Sequence, residues 1–242
     1  MRRSKARGYR QIMGSIGSNL QEVKGRISRA CKAAARDENS VTLLAASKTF
    51  GPDAVRQAHA AGQCAFGENY VQEALAKIES LVDLRPLLQW HLIGPLQSNK
   101  TRPVAEAFDW VHSIDRLKVA QRLAEQRPAW LAPLQLCLQV NISGEDSKSG
   151  VLPADVPALA AAVAALPQDR VRLRGLMAIP EPAGDFERQR QPHRALHDLL
   201  QALHARGLAL DTLSMGMSAD LEAAVAEGAT VVRVGTAIFG HR

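Results

Sequence analysis

A single lysine stands at the end of a long apolar run. Residues 41–48 read VTLLAASK, and a Gly-Pro pair follows at 51–52. Such runs are typical of strands buried on both faces, and in α/β folds the carboxyl ends of these strands hold ligands. Partial desolvation there would lower the pKa of Lys48 from about 10.4 and favour the neutral amine, which attacks aldehydes. The alternative is a lysine that only solvates the strand end.

Two glycine-containing segments have the residue types of an anion site. They read LSMGMSAD at 213–220 and VRVGT at 232–236. Glycine lets the backbone approach an anion closely, and free N–H groups at a helix start bind phosphate. The alternative is that the glycines only serve tight turns and that Ser218 caps the following helix. The residues concerned are Ser214, Gly216 and Ser218 in the first segment, and Gly235 and Thr236 in the second.

A lysine amine and a phosphate cradle together describe a pocket for a phosphorylated aldehyde, of which pyridoxal 5'-phosphate (PLP) is the obvious candidate. Arg233 lies two residues before Gly235, so both positions share one face of their strand. An arginine there could donate to the pyridine nitrogen of PLP. Because arginine keeps its proton, the ring would then be a poorer electron sink. A salt bridge inside the protein is an equal alternative for Arg233.

Strand and helix signals alternate along the chain and predict how these groups are positioned. An amphipathic helix is predicted over 15–36, before the first strand. Eight strands in a chain of 242 residues favour a single (β/α)8 TIM-type barrel with an extra N-terminal helix over an open sheet. The predicted strands are 41–48, 63–67, 88–93, 109–114, 134–142, 171–179, 210–215 and 231–235, and the helices between them are 52–61, 69–80, 97–106, 115–126, 153–165, 186–206 and 219–227.

Polar residues and glycines fall at the carboxyl end of almost every predicted strand. In barrels of this kind the ligand binds at that end, so the pattern predicts a ligand site there. The residues are Lys48, Glu68, Asn69, 91–94, Ser113, Asn141, Met177, 214–218 and 233–236.

Composition limits the class of protein. With 46% hydrophobic and 22% charged residues the chain has a globular composition, and no stretch is long enough to span a membrane. Much of the net charge of +6 comes from an acid-free lead-in, 1–12, which we expect to precede the barrel domain, 13–242. No nucleic-acid-binding motif accompanies it, although a mitochondrial address stays open. Otherwise we expect a cytoplasmic protein whose cysteines are small buried hydrophobes. These are Cys31, Cys64 and Cys137.

Several longer motifs resemble those of the YggS/PROSC family of PLP homeostasis proteins, whose fold is similar to the N-terminal barrel of alanine racemase. The resemblance covers residues from about 15 to 240 in strand order and leaves out the basic lead-in. The motifs are AASKT (45–49), FGENYVQE (66–73), WHLIGPLQSNK (90–100), VNISGEDSKSG (140–150), LRGLMAIP (173–180) and LSMGMSADLEAAVAEGATVVRVGTAIFG (213–240).

The resemblance implies a role for each site residue. Lys48 would form the internal aldimine with PLP, Asn69 would lie near the cofactor, and Arg233 would face the ring nitrogen. Met177, at the end of the sixth strand, belongs to the same predicted binding set. The phosphate would be held by Ser214, Gly216, Met217, Ser218, Gly235 and Thr236.

The family implies cofactor binding and buffering without established turnover, and the residues agree. Racemisation needs an acid or base on each face of the substrate, and Lys48 serves only one. His91 is the best remaining second base, but we expect it to be a histidine hydrogen-bonded under the barrel rim; Tyr70 has no evident activating partner. We therefore predict a monomeric PLP carrier with transient contacts to apo-enzymes. The alternatives are a slow PLP-dependent racemase or lyase, and a Schiff-base aldolase for a phosphorylated sugar.

Two further segments have open interpretations. The polar loop 143–150 is either a lid or plainly solvated, and Lys148 within it could contact phosphate or a partner. The basic helix 186–206 is expected to be a solvated face. Three of its histidines share one side, but no carboxylate can be placed with them, so no metal site is predicted. They are His193, His197 and His204.

Overall fold

A closed barrel of eight parallel strands forms the centre of the computed structural model, which describes residues 15–144 and 149–240. The strands are β1 (Thr42–Ala46), β2 (Ala65–Glu68), β3 (Gln89–Leu92), β4 (Trp110–Ile114), β5 (Leu134–Gln139), β6 (Val171–Met177), β7 (Thr212–Ser214) and β8 (Val231–Val234). They follow one another around the barrel in chain order, and β8 pairs with β1 to close it. The expected (β/α)8 fold is confirmed. The lead-in 1–12 and Lys148 lie outside the described residues.

Helices surround the barrel, and the predicted N-terminal helix is present. The helices are α1 (Ile16–Ala33), α2 (Pro52–Ala60), α3 (Val71–Ser80), α4 (Thr101–Ala107), α5 (Leu117–Gln126), α6 (Val156–Ala164), α7 (Phe186–His204), α8 (Leu221–Ala226) and α9 (Thr236–Phe239). Ser15 caps α1 by accepting from the Ser18 N–H at 3.1 Å, and α1 packs against α2, α8 and α9. None of the helices in the described parts of the chain is long and apolar enough to cross a lipid bilayer.

The strands alternate between an inner and an outer layer. Leu43 and Val232 are paired neighbours that belong to the large apolar core between strands and helices. Their chain neighbours Leu44 and Arg233 are also paired and point the other way, into the barrel. A small separate cluster of Leu44, Ala65 and Val231 fills part of the interior. Buried polar side chains occupy the rest of it, as described below.

Two expectations about single elements are corrected. The first strand ends at Ala46 and not at Lys48, because the chain turns at Thr49, whose φ is +69°. Cys64 was expected to be buried but is exposed immediately before β2, whereas Cys31 and Cys137 are buried.

Candidate functional site

A cavity of ≈ 510 Å³ opens where the strands end. It lies over the first, second and eighth strands and the turn that follows the seventh. The structure brings together seven residues of the predicted binding set in its wall: Lys48, Asn69, Met217, Ser218, Arg233, Gly235 and Thr236.

Lys48 is exposed in the wall of this cavity, two residues beyond the end of β1. The expectation that burial desolvates its amine is therefore wrong. Its neighbours Ser47 and Thr49 are buried and half-buried, so the backbone is anchored while the amine is free to reach a ligand. Among the described residues of the wall, the ionisable side chains are Lys48 and Arg233.

Two turns supply an anion cradle on the same wall. Of the residues in these two turns that line the cavity, four have a backbone N–H group with no hydrogen-bond acceptor among the described residues. Free N–H groups in the wall of a cavity can bind an anion. The four belong to Ser218 and Ala219 after β7, and to Gly235 and Thr236 after β8.

Gly216 is required by its surroundings, and Gly235 has little room for a side chain. Gly216 has a φ of +91°, and a Cβ there would lie 2.4 Å from the Cβ of Ala224. A Cβ on Gly235 would come within 3.0 Å of the Ala46 carbonyl oxygen at the end of β1. A side chain at position 216 would therefore shift the turn after β7, and one at position 235 would press on the end of β1.

Asn69 lies in the same wall, directly after β2. Its side-chain oxygen Oδ1 is buried and has no hydrogen-bond partner among the described residues. A buried polar atom of this kind costs free energy unless a ligand or water pairs with it. The atom is thus a polar contact point in the same wall as the amine and the anion cradle.

Arg233 is buried at the base of the cavity. Its Nη1 donates to the Ser214 carbonyl at 2.6 Å and to Ser214 Oγ at 2.9 Å, and its Nη2 donates to the Ala178 carbonyl at 2.8 Å. No described carboxylate forms an ion pair with it, so the salt-bridge alternative does not hold for the part of the chain described. Burial lowers the pKa of Arg233 to about 10, which still leaves it charged at neutral pH.

A chain of buried hydrogen bonds extends from Arg233 across the barrel interior. Ser214 Oγ lies 2.8 Å from His112 Nδ1, and His112 Nε2 lies 2.9 Å from His91 Nδ1. The four side chains come from β8, β7, β4 and β3. Burial lowers the pKa of His91 to about 3 and that of His112 well below its usual range, so both rings are neutral. The expectation that His91 is hydrogen-bonded below the rim is confirmed.

The direction of this chain follows from its arginine end. Arg233 can only donate, so the Ser214 hydroxyl has its own hydrogen to give, and His112 Nδ1 is its acceptor. Neutral His112 then carries its proton on Nε2 and donates to His91. The opposite direction would leave the Ser214 hydroxyl without an acceptor among the described residues. The four side chains therefore hold the guanidinium in one orientation at the cavity floor.

Three residues of the predicted set do not line the cavity: Met177, Ser214 and Gly216. Met177 is fully buried, and the Ser214 hydroxyl is occupied by Arg233 and His112. Gly216 contributes its backbone, since its carbonyl accepts from the Arg233 N–H at 3.0 Å. The prediction that Ser214 holds a phosphate directly is not supported by this geometry. Ser214 instead supports Arg233.

Sequence reasoning missed the residues that fix the anion cradle from behind. Asp220 accepts from the Met217 N–H at 2.7 Å and from His193 Nε2 at 2.9 Å. Arg26 of α1 donates to the Ser218 carbonyl at 3.0 Å and forms a two-bond ion pair with Glu222. The alternative role of Ser218 as helix cap is wrong, because the N-cap position of α8 is Asp220. An acidic residue next to a glycine turn was the available signal.

The basic helix α7 is neutralised by acids around it. Arg190 and Arg194 both pair with Glu227, and Arg188 pairs with Asp185. This agrees with the interpretation of α7 as a solvated face. No group of three metal-ligating side chains that could hold an ion occurs within 15–144 and 149–240.

Fold and site together define a ligand-binding (β/α)8 protein whose mouth pairs one amine with an anion cradle. The model of the family "Alanine racemase, N-terminal domain" matches residues 18–242. The pyridoxal phosphate homeostasis protein of Pseudomonas aeruginosa PAO1 is 61% identical over 230 residues, covering 95% of this chain and 97% of that protein. The one from Escherichia coli K12 is 53% identical over 231 residues, covering 95% and 98%. The chain therefore belongs to the alanine racemase N-terminal domain family, among its pyridoxal phosphate homeostasis proteins, which confirms the resemblance.

A solved structure supports the same relationship. PipY of Synechococcus elongatus PCC7942, determined with PLP bound, is 40% identical and superposes with a TM-score of 0.80. The match covers 93% of this chain and 100% of PipY.

Proposed function

We propose that this protein binds PLP at the described cavity and serves PLP homeostasis as a carrier. The observation that carries the proposal is the pairing of an exposed lysine amine with four free backbone N–H groups across one cavity. An aldehyde and a phosphate are the two groups of PLP that such a pair would bind. The PLP-bound relative PipY and the names of the close bacterial relatives support it.

Each part of the wall has a separate task in this proposal. Bound PLP supplies an aldehyde carbon, to which an amine can bond with loss of water. Lys48 provides that amine, and the turns after β7 and β8 bind the phosphate through N–H groups. Asn69 offers an unpaired oxygen at the edge of the site, and Arg233 presents a fixed cation at its floor.

The residues of the wall favour a carrier over an amino-acid racemase. A second acid or base is needed opposite the lysine, and Arg233 stays protonated at neutral pH. Tyr70 is 58% exposed and does not line the cavity, and His91 is buried in the neutral chain below it. Of the described residues in the wall, Lys48 is thus the proton acceptor available.

The test is whether PLP becomes covalently attached to Lys48. Purified protein is mixed with PLP, reduced with borohydride and digested, and the modified peptide is identified by mass spectrometry. We expect the label on Lys48 and its loss in Lys48→Ala. Lys24→Ala is the matched control, since Lys24 lines a second cavity of ≈ 520 Å³ at the amino ends of the strands. Equal labelling in Lys48→Ala would refute the proposal.

We propose further that the protein acts as a cytoplasmic monomer, with the barrel domain at 13–242 behind the basic lead-in, and releases PLP to PLP-requiring apo-enzymes. The support is an exposed amine at an open mouth, from which an attached ligand can be released by water or another amine. Size-exclusion chromatography with light scattering tests the monomer. Transfer is tested by mixing the loaded protein with an apo-transaminase in the presence of a scavenger that traps free PLP. We expect transaminase activity to return faster than it could from free PLP under these conditions.

A further inference from the structure

Both residues that flank Lys48 are fastened by the same group of side chains. Ser47 donates its hydroxyl to Glu68 Oε1 at 2.5 Å, and its carbonyl accepts from Lys77 Nζ at 2.9 Å. On the other side, the Thr49 N–H donates to Glu73 Oε1 at 2.5 Å. Lys48 is therefore the middle residue of a short arch, defined here as residues 47–49, whose two ends are fixed.

The fastening group is an ion cluster, defined here as Glu68, Glu73 and Lys77. Lys77 Nζ lies 2.6 Å from Glu68 Oε1 and 3.3 Å from Glu73 Oε1. The side chains of Lys77 and Glu68 are 3% and 0% exposed, and that of Glu73 is 34% exposed. Burying such charges is costly, and a well-packed apolar set often stabilises a fold better. The cluster therefore calls for a role other than stability.

Thr49 provides an independent observation at the same place. Its φ of +69° lies in the left-handed region, which is a true outlier for a β-branched residue. Strain of this kind persists only where surrounding contacts determine it, and it concentrates at functional sites. The contact that holds Thr49 is its hydrogen bond to Glu73.

We propose that the ion cluster is a positioning device for Lys48: it fixes the peptide groups on both sides, so that the amine is directed into the cavity. This inference rests on the proposed function and deepens it, since it names residues that act on the ligand through Lys48. Glu68, Glu73 and Lys77 do not line the cavity and are positioning residues.

The test uses two variants of Glu73, the most exposed member of the cluster. Glu73→Leu removes the acceptor of the Thr49 N–H, whereas Glu73→Gln keeps an amide oxygen there. In the PLP-free protein, hydrogen exchange at the Thr49 amide should become about tenfold faster in Glu73→Leu. The rate at which added PLP becomes borohydride-trappable on Lys48 should fall roughly ten- to a hundredfold. Glu73→Gln should restore most of both.

Asp109→Leu is the matched control. Asp109 is 28% exposed and also accepts from a cation and a backbone N–H, Arg85 and Trp90, but it precedes β4 at the opposite end of the barrel. The Asp109→Leu variant should leave both hydrogen exchange at the Thr49 amide and the rate of PLP attachment to Lys48 unchanged. If the wild type forms the adduct and Glu73→Leu forms it equally fast, the positioning role alone is overturned. A wild type that forms no adduct overturns the proposed function and this inference together.

Discussion

Thr49 has a backbone conformation that costs free energy, and this cost can be measured as a change in the free energy of unfolding. Glycine adopts a φ of +69° without strain, although it raises the entropy of the unfolded chain. We expect Thr49→Gly to raise the free energy of unfolding of the PLP-free protein by about 0.5–1 kcal/mol, measured by denaturant titration. The same change should slow attachment of PLP to Lys48, because glycine at position 49 allows the backbone next to Lys48 more conformations even with the hydrogen bond to Glu73 kept.

Ala35 offers the control for this prediction. It has a φ of +52°, lies after α1, is exposed and does not line the cavity. Ala35→Gly should stabilise the protein by a similar amount and leave PLP attachment unchanged. A stability loss in Thr49→Gly would show that its side chain contributes more than its strain costs.

A substitution of Ser214 tests whether its hydroxyl binds the phosphate directly or supports Arg233. Ser214→Ala leaves a buried donor of Arg233 and a buried acceptor of His112 without their partner. We expect a loss of about 1–3 kcal/mol in the free energy of unfolding of the PLP-free protein. A direct phosphate ligand would instead leave that quantity nearly unchanged and weaken only PLP binding. Parallel denaturant and PLP titrations separate the two results.

At the residue scale, the sequence predicted the residues at the strand ends but missed the hydrogen-bonded side chains inside the barrel. Lys48, Gly235 and Thr236 could be predicted because an apolar run or glycine marks each strand end. The role of Ser214 could not, because β7 is only three residues long and does not indicate which face is inward. His112 was missed because its hydrogen bonds reach residues far apart in the chain.

Among the helices, α1 braces the anion cradle from outside the barrel. Arg26 joins Glu222 of α8 to the carbonyl of Ser218. Arg26→Ala should loosen this turn and weaken PLP binding by about 1 kcal/mol, since the pair is partly exposed. Fluorescence titration with PLP checks it.

The control is Arg56→Ala, which removes a comparable two-bond pair with Asp83 away from the site. That variant should bind PLP as the wild type does. Equally weakened PLP binding in both variants would indicate a general loss of order and contradict a specific role of Arg26 in holding the turn.

The order of elements was predictable because period and length distinguish β from α in this chain. Short elements were not. α9 has four residues directly after Gly235, too few for a periodic signal, and the predicted helix at 97–106 begins regular α-helix only at Thr101. Strand ends were overestimated where apolar residues continue beyond the strand, as Val140 and Ile142 do after β5.

For the whole molecule, the buried histidines predict an acid-sensitive fold. The pKa of His91 is about 3 and that of His112 is well below its usual range because of burial, while both lie near 6.5 in an unfolded chain. The unfolded state therefore takes up protons first as the pH falls below about 6.5. Stability should fall between pH 6.5 and 5 by up to about 1.4 kcal/mol per pH unit for each histidine.

His91→Leu isolates this effect. The raised pKa of Glu68 acts in the opposite direction, since that carboxyl is protonated first in the folded state, but the variant leaves it unchanged. Denaturant titrations at pH 7, 6 and 5 should therefore give a shallower slope for His91→Leu than for the wild type. Identical slopes would mean that the pKa of His91 is nearly the same in the folded and the unfolded state, contrary to this prediction.

The closure of the barrel has a consequence for protein synthesis. Lys48 follows the first strand, while Gly235 and Thr236 follow the eighth, and these two strands meet at the seam. A nascent chain that has left the ribosome only as far as β7 carries the lysine but lacks half of the anion cradle. The complete ligand site thus exists only once residue 236 has emerged from the ribosome. A protein molecule that carries the ligand firmly has therefore been translated beyond β8.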